Sequence, residues 1–281
     1  MKRISRHSLD AELVQEGVER DQELLASVLE AVGTRAAALS IALGTARSYA
    51  GYLAAEGSKT AEICRALRIG AHASAAIFTL GSGKGEISFP IGNRQSTLPA
   101  TGPTDATHVG NWRIGWWFAH IVRDHSVSDR LASTPISVLR RSSTRGDECQ
   151  YLFAEALQGF ENRNSDWSAK LQAAVDATDP DQVTLSDEEF VLNILVPEMQ
   201  MLFHLALGEV TPFGAALEFA LERHKKYWSK GSRRQDPDGF LALGPLALIS
   251  IAFDAGMPIA VESEYIPQEL IEGICGSGPN R

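Results

Sequence analysis

The sequence lacks the common signatures of catalysis. It has no G-x-S-x-G nucleophile elbow, no H-E-x-x-H helix and no cysteine pairs at zinc spacing. These absences exclude an α/β-hydrolase serine, a zincin-type metal site and a zinc ribbon. Three cysteines in 281 residues, Cys64, Cys149 and Cys275, are odd in number and scattered. They suggest no disulfide framework. Cys149 follows Asp147 and Glu148, whose charges oppose a reactive thiolate. The longest apolar run, Phe240 to Phe253, is too short to span a bilayer and contains Pro245. No apolar export segment follows the early basic residues, because Asp10, Glu12 and Glu16 interrupt it. The expectation is a cytoplasmic protein with no cofactor, no metal and no membrane contact. Basic residues are also in deficit: the net charge of -9 argues against direct nucleic-acid binding, which needs a basic stripe.

Apolar residues make up 44% of the chain, an ordinary globular content, and most lie at helical spacing. Leu9 to Val32, Thr34 to Ala55 and Thr60 to Leu80 read as three helices, the second rich in alanine. Asn111 to Asp124 carries Trp112, Trp116, Trp117 and Phe118; at that spacing the rings are core, with Trp116 or Trp117 free to line a groove. Helices follow near Ile136 to Arg141, Glu148 to Phe160 and Trp167 to Ala177. Ser186 and Glu189 form a capping-box pattern opening a helix from Asp187 to Leu207, which Pro197 should kink or divide. Thr211-Pro212 reads as a cap and first helical position for a helix to Trp228. Phe240 to Phe253 is apolar on all sides and therefore buried.

Between the third and fourth of these helices, Ile87, Phe89 and Ile91 alternate before Gly92-Asn93, a hairpin signal. The fold class expected is all-α: an irregular array of about ten helices, mostly antiparallel pairs, with one small β-hairpin near residues 86–98. A single domain over 1–281 is expected, with a frayed tail at 277–281.

Other chemistry is weak. Gly81-Ser-Gly-Lys84-Gly fails as a phosphate loop, with Phe78 in place of the first glycine and Gly85 in place of Ser or Thr. His120 and His125, or His204 and His224, have no spacing that pairs them as ligands and read as core histidines. Two acid-rich stretches contain no Lys or Arg. One holds Asp176, Asp179, Asp181, Asp187, Glu188 and Glu189; the other holds Glu262, Glu264, Tyr265, Glu269 and Glu272. They are either solvated helix starts or a docking surface for a basic partner.

Several blocks together resemble the immunity protein 49 family of bacterial polymorphic toxin systems. They are Leu98 to Pro103 (LPATGP), Gly110-Asn111-Trp112 with Arg123-Asp124, Thr178-Asp-Pro180 and Leu202-Phe-His204. The series continues with His224-Lys-Lys-Tyr227-Trp228, Asp236-Pro237-x-Gly239, Ala242-Leu-Gly-Pro-Leu246, Asp254-Ala-Gly-x-Pro258 and Val261-Glu-Ser-Glu-Tyr265. They span residues 85–272, and the N-terminal helices 8–80 match more loosely. The resemblance implies an all-α protein encoded beside a secreted toxin, which it blocks by binding and covering the active face. No catalytic residues carry over. Asn111, Trp112, His204, His224, Tyr227, Trp228, Asp236, Pro237 and Asp254 look structural. The acidic residues and Tyr265 are the candidate toxin contacts, and a nuclease, with its basic cleft, is the partner expected. The alternatives are an enzyme using His204, His224, Asp254 and Glu262 in one pocket, whether a repair enzyme or a metal-dependent hydrolase, and a helical scaffold with an aromatic groove.

Overall fold

A computed structural model describes residues 2–57 and 60–276. The expected frayed tail, 277–281, lies outside them. A short strand β1 (Lys2–Ile4) precedes three long helices, α1 (Ala11–Ala31), α2 (Ala37–Glu56) and α3 (Thr60–Ser82), which pack successively. Asp10 caps α1 by accepting from the backbone N–H groups of Glu12 (3.0 Å) and Leu13 (3.4 Å). Val14, Leu25 and Val28 face inward, and acids cover the outer side. The alanines of α2 allow close approach. Gly17 of α1 takes this furthest: a Cβ there would stand 2.4 Å from the Tyr52 ring.

Strands β2 (Glu86–Ile91) and β3 (Arg94–Pro99) form the expected antiparallel hairpin, with Ile91 opposite Arg94. Its turn uses Gly92 at φ 56°, a conformation open to glycine without strain. The chain then enters α4 (Val109–Ile121), the centre of the molecule. Trp112, Trp116 and Phe118 of α4 are fully buried, and α3, α5 (His125–Ala132), α7 (Glu148–Glu161) and α12 (Leu243–Asp254) pack around it. Trp112 Nε1 donates to the Leu131 carbonyl at 2.8 Å, which settles the one polar atom of its ring. The crossing of α3 and α4 is tight: a Cβ on Gly115 would lie 1.9 Å from Ser74 Oγ, and one on Gly70 would lie 2.5 Å from Phe118.

Two shorter helices, α6 (Ile136–Arg140) and α8 (Trp167–Asp176), flank α7. A rod follows, made of α9 (Glu188–Phe190), one π turn (Val191–Leu195) and α10 (Val196–Ala206). Asp187, rather than Ser186, caps it, accepting from Glu189 N–H at 3.0 Å; Ser186 instead accepts from Gln150. Pro197 does not divide the rod. The Val196 N–H already reaches back to the Val191 carbonyl, so the missing N–H of proline falls where the hydrogen-bond register has shifted. Helix α11 (Val210–Trp228) starts after Glu209, not Thr211, which leaves Pro212 in the first turn where no intrahelical donor is required.

Two expectations are corrected. The hairpin is not the only β structure: β1 pairs in parallel with β4 (Val261–Ser263), Lys2 opposite Val261. Strands of three residues carry no periodicity to read. In addition, Cys64 on α3 and Cys275 form a disulfide across 211 residues of sequence; beyond β4, α13 (Gln268–Ile271) leads into the turn that holds Cys275. Sequence spacing cannot reveal a pair that the fold brings together from opposite ends. The main hydrophobic cluster extends from Ile4 to Cys275, and Val14, Tyr52 and Phe240 form a small second one.

Two stability measurements follow. Gly115→Ala is expected to lose about 1–3 kcal/mol by overpacking, measured by urea denaturation, and Ser74→Gly in the same chain should recover most of it. No recovery would place the strain elsewhere. Reduction of the Cys64–Cys275 bond should lower stability by about 4–5 kcal/mol through chain entropy; a melting curve unchanged by a reductant would contradict a bond in solution.

Candidate functional site

Several of the blocks that resemble the immunity family meet at the end of α11 and the turn after it. Asp236 caps that turn, its Oδ1 accepting from Asp238 N–H at 3.0 Å, and Pro237 supplies the first turn position. Gly239 lies against Trp228, where a Cβ would come within 2.4 Å of the indole. Its carbonyl accepts from His224 Nε2 at 2.9 Å. Burial drives the His224 pKa down to about 3, so the ring is neutral. The His224 ring packs edge-on to Tyr265, with centroids 4.7 Å apart.

Tyr265, a candidate toxin contact, is fully buried, which removes it from any surface. Its hydroxyl accepts from the His7 backbone N–H (3.1 Å) and lies 2.6 Å from His7 Nδ1; burial pushes its pKa up to about 12. Asn111 donates to the Ala106 carbonyl at 3.0 Å. Arg123 takes a left-handed backbone, φ 56°, and grips Asp254 with two nitrogens at 3.1 Å while donating to the Leu270 carbonyl at 2.8 Å. Asp124 caps α5, and the hydrogen bond from His72 (3.1 Å) holds its pKa down at about 2.

Gly110, Asn111, His224, Tyr227, Trp228 and Gly244 of these blocks line a half-open cavity of about 390 Å³ between α4, α10, α11 and the start of α12. Trp117, Phe190, Tyr227 and Trp228 form its apolar wall. Trp117 is therefore the tryptophan that lines a hollow, while Trp116 is core. Arg113 of α4 and Glu198 of α10 also line the cavity. Their side chains are only 10% and 6% exposed, and Arg113 Nε lies 3.9 Å from Glu198 Oε2, beyond hydrogen-bond reach. Arg113 Nη1 and Glu198 Oε2 both lack a hydrogen-bond partner. Burial raises the Glu198 pKa to about 7 against the pull of Arg113 and Arg47. Burial likewise lowers the Arg113 pKa. Arg47, at the cavity edge, is paired with Asp238 at 2.9 Å. Gly244 gives Glu198 its space: a Cβ there would meet Oε1 at 2.1 Å.

The cavity was not legible as a site in the sequence, because Arg113 and Glu198 are isolated charges in otherwise apolar helices. That isolation was the only signal.

The acidic stretches divide on inspection. Arg233 binds both Asp187 (2.9 Å) and Glu189, and Lys230 also binds Glu189, lowering the Glu189 pKa to about 2. Cations from beyond α11 thus neutralise these two, which a scan for local Lys or Arg misses. Glu264 accepts from the Arg6 backbone N–H at 2.9 Å. Asp176, Asp179, Asp181, Glu188, Glu262 and Glu269 stay exposed with no ion pair among the described residues. Asp147 was also missed. Although burial opposes its charge, N–H groups of Thr184, Leu185 and Ser186 at 2.8–3.0 Å hold its pKa low and pin the loop before α9. Cys149 is buried, and that burial, with Asp147, raises its pKa to about 11.

The outer face of the α9–α10 rod carries exposed apolar residues at helical spacing. Leu192, Phe203 (42% exposed) and Leu207 (51%) lie along it, and Val210 follows. His204 sits beside them, its Nδ1 2.7 Å from Glu209 Oε2. The four residues of the alternative enzyme reading are not brought together: His204 pairs with Glu209, His224 with Gly239, Asp254 with Arg123, and Glu262 is exposed on β4. Among the described residues no group of three or more His, Cys, Asp or Glu is placed to hold a metal ion.

The elements and the core they bury define an all-α protein with two small two-stranded sheets. The chain belongs to the immunity protein 49 family, whose model matches residues 56–270. The match begins at the end of α2 and so includes α3, earlier than the blocks suggested. No curated protein and no solved structure shows a significant match.

The two buried titrating groups impose opposite pH slopes. The native state keeps the Glu198 proton up to about pH 7, whereas an ordinary carboxyl releases it at 4.5. Glu198 therefore contributes stability that is full below 4.5 and lost as pH rises toward 7. His224 refuses its proton down to about 3 against an ordinary 6.5, so its contribution is lost as pH falls through that range. Glu198→Gln removes the first slope only. Its stability should fall more steeply than wild type between pH 7 and 5, by up to about 1.4 kcal/mol per pH unit. Parallel urea-denaturation curves would show that Glu198 is ionised throughout.

Proposed function

We propose that this protein neutralises a cognate secreted bacterial toxin by binding it directly and covering its active site, and that the toxin is a nuclease. Membership of the immunity protein 49 family supports the first part. The observation that carries the binding face is the exposure of Leu192 and Phe203 on the α9–α10 rod, with Leu207 and Val210 at the turn into α11. Large apolar side chains in a row on one helix face are the usual centre of a protein interface. Glu188 opens the same rod, and Asp176, Asp179 and Asp181 lie on the chain that leads into it. Acids around an apolar centre suit a basic partner, because they speed encounter and orient it. A nuclease cleft must be basic to hold phosphate, so an acidic cover both attracts and mimics. Nucleic acid and membrane are not partners in this reading.

The test is growth rescue and pull-down against the product of the neighbouring toxin gene. Phe203→Asp with Leu207→Asp should abolish rescue and weaken binding at least 100-fold, while circular dichroism stays that of the wild type. Lys at Asp179, Asp181 and Glu188 should slow association about tenfold at low salt. Full rescue by the double variant would place the interface elsewhere.

A further inference from the structure

Arg113 is a permanent cation in a wall of Trp117, Phe190, Tyr227 and Trp228, and one of its terminal nitrogens has no partner. Buried charges are ordinarily paired and buried donors ordinarily bonded. Its neighbour Glu198 does not fill the role, since the closest approach is 3.9 Å and Oε2 is itself unbonded. Arg47 Nε lies 2.9 Å from Asp238 Oδ1 without making a hydrogen bond, so a second guanidinium borders the cavity beside Arg113. His224 is bound to the Gly239 carbonyl and offers no charge.

We propose that the cavity binds a carboxylate with an apolar or aromatic body, one oxygen accepting from Arg113 Nη1 and the other meeting Glu198 Oε2. Glu198 can be the second donor because burial already favours its protonated form near pH 7; a carboxyl then faces a carboxylate through one shared proton. The body of the ligand would rest against the four aromatic rings. About 390 Å³ accommodates a molecule of the size of an arylalkanoic acid. The carboxylate could belong to a free acid or to the C-terminus of a peptide, and both present the same chemistry. The site does not depend on the toxin-binding face, since none of the exposed stripe residues lines it.

Titration of the full chain with phenylacetate, followed by tryptophan fluorescence and calorimetry, tests this. Phenylacetamide and phenethylamine serve as the neutral and cationic counterparts. Phenylacetate should saturate and bind at least tenfold more tightly than either; equal or tighter binding of the amide or amine, or no binding of any of the three, would overturn the proposal. Arg113→Met should lose phenylacetate binding at least tenfold, and Glu198→Gln, which keeps a donor, should retain most of it. Should Arg113→Met fail to fold, Arg113→Lys keeps the charge without the planar fork and should still weaken binding severalfold. An unchanged affinity in a folded Arg113 variant also overturns the proposal. Ala-Ala-Phe with a free C-terminus, compared with its amide, separates the sources. Carboxylate-dependent binding of the peptide assigns a chain terminus, and binding of phenylacetate alone assigns a free acid; each sustains the site.

Discussion

Almost everything in this molecule is arranged around burying α4. A helix with three tryptophans, a phenylalanine and an arginine in thirteen residues cannot face water on any side, so neighbours must enclose it. The α3 crossing requires glycine at 115 and 70 to let backbones meet. Leu131 must offer its carbonyl to Trp112, and α12 must be apolar all round because it lies against α4 and the rest of the core. The exit of α4 is fixed just as firmly. Arg123, held in a left-handed backbone, clasps α12 and α13, and Asp124 turns the chain into α5.

The same enclosure explains why the cavity exists. Arg113 extends from a helix that is otherwise packed in hydrocarbon, and the space around its guanidinium is closed by α10, α11 and the turn after α11. That turn is built from Asp236, Pro237 and Gly239, residues that look decorative in a linear reading. Each has a physical role: a cap, a fixed φ, and a surface flat enough for Trp228. Residues of the immunity-family blocks therefore hold a pocket as well as a fold, while the outward rod beside it bears the exposed apolar side chains that we propose meet the toxin.

Helices long enough to show a stripe were legible from the residues alone: α1, α2, α3, α4, α7, α8 and α11 lie close to their expected limits. The hairpin was legible too, because Gly92-Asn93 stands between alternating strands. What escaped was non-local or short. The β1–β4 pair joins the N-terminal strand to residues 261–263, and the Cys64–Cys275 bond ties α3 to a turn 211 residues further along. Helix α5 has only eight residues, five of them polar or charged. At the surface, Asp187 and Glu189 seemed free acids because their partners, Lys230 and Arg233, lie some forty residues further along. Tyr265 seemed available beside Glu262 and Glu264, yet it lies inside, bound to His7. Local charge density says where acids are, not whether the fold has already paired them.

The central claim is that a closed helical core presents one outward rod, α9 to α10, to a toxin. Amide hydrogen exchange of the free chain and of its complex with the neighbouring toxin tests it most directly. The account predicts new protection confined to residues 188–210, with α4 slow to exchange in both states. Protection concentrated over 261–272, or none on the rod, would contradict it.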